Sequence, residues 1–209
     1  MSPYLRIAVV VIAVGVSTVP FAGTAHVPWL RPVLLQVVRD ADCIIAGRVV
    51  AAEAGPRGQG VVRFDQPNSW CEYALPAPLL VRTRTALPEH SWYVLFVRQD
   101  SAGWQDVAPP GVVFVLDRQD QQVVHRALRQ LWKHARTGTG VSPTQAFLQL
   151  LEAQNPSWRY HAALALHGSR SRLDHQQRAQ LRRLLSREDD EALRHLLQQI
   201  TDGEPASAE

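Results

Sequence analysis

Lysine is almost missing from this chain. Lys133 is one of 22 basic residues, and the other 21 are arginine. That bias follows as readily from a GC-rich genome as from phosphate recognition. Basic residues exceed acidic ones by only three, which is too little to argue for nucleic acid. Cysteine occurs twice, as Cys43 and Cys71, so no Cys-x-x-Cys can form. Eight histidines are present without a His-x-x-x-His pair, which leaves the usual helical zinc signature absent. No Gly-Lys-Ser/Thr follows the glycines of Gly55-Pro56-Arg57-Gly58-Gln59-Gly60, and no helical pattern comes after them. That stretch therefore reads as a hairpin turn and not a phosphate loop. The Gly-x-Ser string Gly15-Val16-Ser17 lies in the first apolar segment, so no nucleophile elbow is nominated.

What is present is a globular composition, with 46% hydrophobic and 20% charged residues over 209 positions. Arg6 precedes the apolar run Ile7 to Val14, Pro20 interrupts it, and Gly23-Thr24-Ala25 places small residues before His26. Positive start, apolar centre and small-residue exit predict a signal peptide over residues 1–25. The rival is an uncleaved membrane anchor, but the apolar run is about half of the ~20 residues a span needs. In an oxidising compartment Cys43 and Cys71 have only each other, and one bridge within the chain is expected. Two separate buried thiols are the alternative. The bridge would close a loop of about 28 residues, worth ~3 kcal/mol in the chain-entropy model.

Residues 26–118 read as a β domain. Val33, Leu34, Val37 and Val38 have helical spacing after Pro32. A strand follows over Cys43 to Ala52, with Arg48 its only polar residue, so it is expected to be covered on both faces and bent at Gly47. Further strands are expected at Val61 to Phe64, Leu79 to Thr85, Trp92 to Arg98 and Val112 to Leu116, with an irregular stretch from Pro67 to Pro78. Such a set fits a small OB-like barrel. Residues 119–203 read as helices, with start signals at Asp120, at Ser142-Pro143-Thr144-Gln145 as a capping box, at Asn155-Pro156, at Asp174 and at Asp189 or Asp190. Residues 204–209 form a polar end. The expected fold class is α+β.

Two resemblances attach to these patterns. Ala41-Asp42 followed by Ile44-Ile45-Ala46-Gly47-Arg48-Val49, with the later Tyr93-Val94-Leu95-Phe96-Val97, resembles bacterial netrin-like domains, the fold class of the tissue inhibitors of metalloproteinases. The resemblance implies an OB-type barrel and not the inhibitors' activity. Those inhibitors bind the target's zinc through an N-terminal cysteine, and Cys43 lies well inside this chain. Asn155-Pro156-Ser157-Trp158-Arg159-Tyr160-His161-Ala162-Ala163-Leu164-Ala165-Leu166 resembles the first helix of a HEAT-type repeat, which implies a protein-binding surface.

Other candidate sites are few. Cleavage after Ala25 would leave His26 with a free amine and an imidazole, which chelate copper or zinc if a second ligand exists. A loose terminal histidine is the plainer reading. His161 and His167, six residues apart on a helix, should point about 120° from each other. The histidines are expected to be solvated or capping. Arg178, Arg182, Arg183 and Arg187 form a basic stripe that could meet acidic lipid or simply be solvated. The expected function is that of an exported, non-enzymatic interaction protein of the bacterial cell envelope, periplasmic or secreted. Its expected partner is another protein, with no nucleic acid and no cofactor. The alternatives are a metal-dependent or cysteine hydrolase with a site between barrel and tail, and an envelope factor anchored in the inner membrane by its first segment.

Overall fold

The computed structural model describes residues 33–56, 59–71, 74–169 and 173–202. The expected leader, His26 and Gly203 lie outside the described residues.

Helix α1 (Val33–Asp40) comes first and buries Leu34, Val37 and Val38, as their spacing requires. Eight strands follow: β1 (Cys43–Arg48), β2 (Ala51–Ala54), β3 (Gly60–Phe64), β4 (Asn68–Trp70), β5 (Leu79–Thr83), β6 (Trp92–Asp100), β7 (Gly103–Asp106) and β8 (Phe114–Val115). Five helices complete the chain: α2 (Gln121–Thr137), α3 (Pro143–Leu150), α4 (Pro156–His167), α5 (His175–Leu185) and α6 (Glu191–Asp202). The class is α+β, a sheet followed by helices.

The strands hydrogen-bond in the order β2-β3-β5-β7-β6-β1-β4, with β8 added to β6. All pairs are antiparallel except β5 with β7. Where a small OB-like barrel was expected, this hydrogen-bonded path is open, ending at β2 and β4. The single strand expected over Cys43 to Ala52 is broken as well. Val49 and Val50 leave the ladder, their amides bonding Ser91 O and Arg63 O at 3.0 and 2.9 Å. Its first half therefore pairs with β6 and its second half with β3. Gly47, where a bend was expected, is a point of close approach. A Cβ there would lie 2.9 Å from Phe64 Cδ1 and 3.3 Å from Pro67 Cα.

The alternation of β1 and β6 explains why both read as apolar throughout. Ile44, Ala46, Val94 and Phe96 join a core shared with the helices. Cys43, Ile45, Tyr93, Leu95 and Val97 face the other way, into a core with Val62, Phe64, Leu79, Val81 and Trp104. The helices are thus joined to the sheet by continuous apolar packing. Trp158 of α4 is fully buried, 5.1 Å ring to ring from Phe114, and its Nε1 donates to Val115 O at 2.8 Å.

Three expected details differ. The stretch from Pro67 to Pro78 contains β4, a three-residue strand held only by β1. Asp120 does not cap α2 with its side chain. Its carboxylate accepts from Gln154 N at 2.7 Å and Asn155 N at 2.8 Å, fastening the start of α2 to the α3–α4 connection. Ser142 caps α3 by accepting from Thr144 N, whereas the reciprocal capping box belongs to Asp174 and Gln177 at α5.

Candidate functional site

The seam between sheet and helices holds an aromatic cleft of about 230 Å³. Its floor is Ala46 of β1, whose single methyl leaves room that a larger residue would fill. Register places Asn68 opposite Ala46 and Trp70 opposite Ile44, so both β4 side chains share the face that Ala46 presents to the helices. Trp92, the first residue of β6, lies opposite Arg48 and is 40% exposed. Leu116 stays beside it through Leu116 N donating to Trp92 O at 2.9 Å. The first turns of α2 supply the remaining wall, with Gln121, Gln122, Val124 and His125. No lining residue carries a carboxylate, ammonium or guanidinium group. Arg48, the nearest cation in register, is directed to His90, whose carbonyl accepts from its Nε at 3.2 Å.

Trp70 is held from two sides. Its Nε1 donates to His125 Nε2 at 3.0 Å, with ring centroids 4.8 Å apart. That bond needs His125 neutral, with its proton on Nδ1. The next residue, Cys71, is disulfide-bonded to Cys43 of β1, with Cα atoms 4.8 Å apart. The expected bridge is therefore present, and it anchors the end of a strand too short to hold itself. With both thiols bonded, neither is available as a nucleophile.

A second concavity, about 360 Å³, lies at the loop end of the helices. Leu151, Leu184 and Leu197 line its base, and Glu152, Arg187 and Asp189 stand around it. Arg159 and Glu188 pair there at 3.0 Å, with side chains 20% and 8% exposed.

The basic stripe needs correcting. Arg178 is buried, and it donates to Leu173 O, Ile200 O and Thr201 O at 3.3 to 3.4 Å. It therefore satisfies the terminal carbonyls of α6, where a cation also suits the helix dipole. Arg182, Arg183 and Arg187 remain exposed.

The histidines are not uniformly solvated either. His161 packs 4.9 Å from the Phe114 ring, its Nδ1 sealed from solvent without a partner. Burial pulls its pKa down to about 4, so the ring is neutral at physiological pH. It lines a concavity with Ser157 and Asp190 but is hydrogen-bonded to neither, so no base is poised there. Asp106, at the end of β7, is pushed up to about 6 by burial, despite accepting from Ala108 N.

Among the described residues, no group of three or more His, Cys, Asp or Glu could hold a metal ion. Among them, too, no helix is long and apolar enough to cross a membrane. Sequence reasoning placed Trp70 in an irregular stretch and missed the cleft, whose walls come from four separate parts of the chain. No family model matches the chain, and no curated protein matches it.

Proposed function

We propose that the chain is an exported, non-catalytic recognition module of the bacterial cell envelope. The observation that carries this reading is the aromatic cleft. It combines two indole surfaces with converging neutral hydrogen-bonding groups, the make-up of a binding site and not of a site for bond chemistry. Export is supported by the leader pattern of residues 1–25 and by the Cys43–Cys71 bridge, which suits an oxidising compartment. Sequencing the mature N-terminus from the native host should return His26; recovery of Met1 would favour the anchored alternative.

An OB-type barrel of the netrin-like kind is the architecture we infer for the sheet. Five segments form it: residues 43–54, β3, β5, β7 and β6. The first segment, broken at Val49 and Val50, pairs with β6 through one half and with β3 through the other, as a five-stranded, partly open barrel requires. The HEAT-like reading of the tail rests on the Asn155-Pro156 start and the alanine-leucine run of α4, a helix against which α6 packs.

The test is retention on immobilised protein. An envelope extract should contain a component held by the wild-type chain and released by Trp92→Ala, with a thermal melt checking that the variant remains folded. Equal retention by both proteins would reject the cleft as the recognition site.

A protein partner is supported by the second concavity, where both signs of charge surround a leucine base, as in a protein–protein rim around an apolar centre. Arg187→Glu should weaken such a partner without affecting a ligand of the cleft. If a captured protein is lost on Trp92→Ala and kept on Arg187→Glu, this second reading fails.

A further inference from the structure

We propose that the cleft binds an uncharged saccharide, one ring of which stacks on the exposed face of Trp92 while Asn68, Gln121 and Gln122 bond its hydroxyls. This inference rests on the reading of the chain as a binding module and names the ligand class of that site.

The chemistry of the lining selects the ligand by elimination. A charged group entering the cleft would lose hydration and meet no opposite charge, a net cost. A purely apolar side chain would satisfy the indoles but cover carboxamides without giving them partners, which is also unfavourable. Each carboxamide offers both donors and an acceptor, and a sugar hydroxyl likewise donates and accepts. The C–H face of a sugar ring supplies the apolar surface that a half-exposed indole lacks. Trp92 is 40% exposed, so it can be covered without displacing anything from the core.

Geometry supports the same ligand. The Ala46 floor and the volume of about 230 Å³ suit a compact ligand portion, below the ~300–1,000 Å³ of drug-sized pockets. Trp70 is already fixed by His125 and by the neighbouring disulfide. That wall of the cleft is thus set before the ligand arrives, which lowers the ordering cost of binding.

The experiment is calorimetric titration of the intact, disulfide-bonded chain with maltotriose and with N,N′-diacetylchitobiose. Parallel titrations use trigalacturonate as a charged sugar and a capped, uncharged apolar tetrapeptide. At least one neutral sugar should bind saturably, trigalacturonate should bind at least about tenfold more weakly, and Trp92→Ala should lose tenfold or more, as hot-spot aromatics do. Gln122→Ala, at an exposed helical position, should weaken the sugar and preserve the fold. No binding by either neutral sugar, equal binding by Trp92→Ala, or preference for the tetrapeptide would each overturn the saccharide assignment. If an envelope component is still retained in a Trp92-dependent manner, the binding-module reading survives that failure. If retention also ignores Trp92, the cleft falls as the recognition site together with the saccharide assignment.

Discussion

Asp120 offers the sharpest test of how the start of α2 is held to the α3–α4 connection. It is 1% exposed, and its two carboxylate oxygens accept from Gln154 N and Asn155 N at 2.7 and 2.8 Å. Asn155 in turn caps α4 by accepting from Ser157 N, and its Nδ2 donates to Asp117 at 2.9 Å. Asp120→Ala would leave two part-buried amides without acceptors and unsettle the cap of the helix that carries Trp158. Hydrogen bonds to a charged group are worth about 1.5–3 kcal/mol each, so the expected loss is about 3–6 kcal/mol. Asp120→Asn keeps one acceptor and should lose about half as much. Asp117→Ala, at an exposed position with one side-chain contact to Asn155, should cost under about 1 kcal/mol. Urea unfolding of the oxidised protein, followed by circular dichroism and tryptophan fluorescence together, measures all three. An Asp120→Ala loss below about 1 kcal/mol, matching Asp117→Ala, would refute the idea that this carboxylate fastens α2 to the α3–α4 connection.

Other consequences follow from single contacts. Replacing both Cys43 and Cys71 with alanine should lower unfolding free energy by ~3 kcal/mol, read from the shift in denaturant midpoint. Gly47→Ala puts a methyl against Phe64 and the Pro67 backbone, which should cost about 1–3 kcal/mol in the same assay. Asp106 has a folded pKa raised to about 6, so its contribution is full below the ordinary carboxylate range and is lost as pH rises through 6. Relative to wild type, Asp106→Asn should therefore gain up to about 3 kcal/mol between pH 4 and pH 7. His161 behaves oppositely: its folded pKa is lowered to about 4, and its contribution is lost as pH falls from the ordinary imidazole range through 4. After allowance for its partial exposure, His161→Phe should gain about 2 kcal/mol on wild type between pH 7 and pH 4, measured by thermal melts.

The sequence disclosed its periodic parts well. The 3.6-residue spacing of Val124, Ala127, Leu128 and Leu131 marks α2, and the apolar runs of β1 and β6 mark strands covered on both faces. Side-chain caps at Asn155 and Asp174 act as their residue types suggest. What periodicity does not encode is long-range pairing. Asn68-Ser69-Trp70 has no alternation to reveal a strand, and it becomes one only because β1 pairs with it and the disulfide holds its end. Asp120 looks like a helix cap locally, yet its bonds go to residues more than thirty positions away. Arg178 sits in a run of arginines that reads as a solvated face until α6 brings its carbonyl ends alongside. The cleft is invisible for the same reason: Ala46, Trp70, Trp92 and Gln121 meet only through the fold.

The most direct measurement is the NMR response of the tryptophan indole N–H signals as the retained envelope component is added to the intact chain. Shifts confined to Trp70 and Trp92, with Trp104 and Trp158 unmoved, are the predicted result. Saturable binding that leaves the Trp70 and Trp92 signals in place would contradict the assignment of recognition to the cleft.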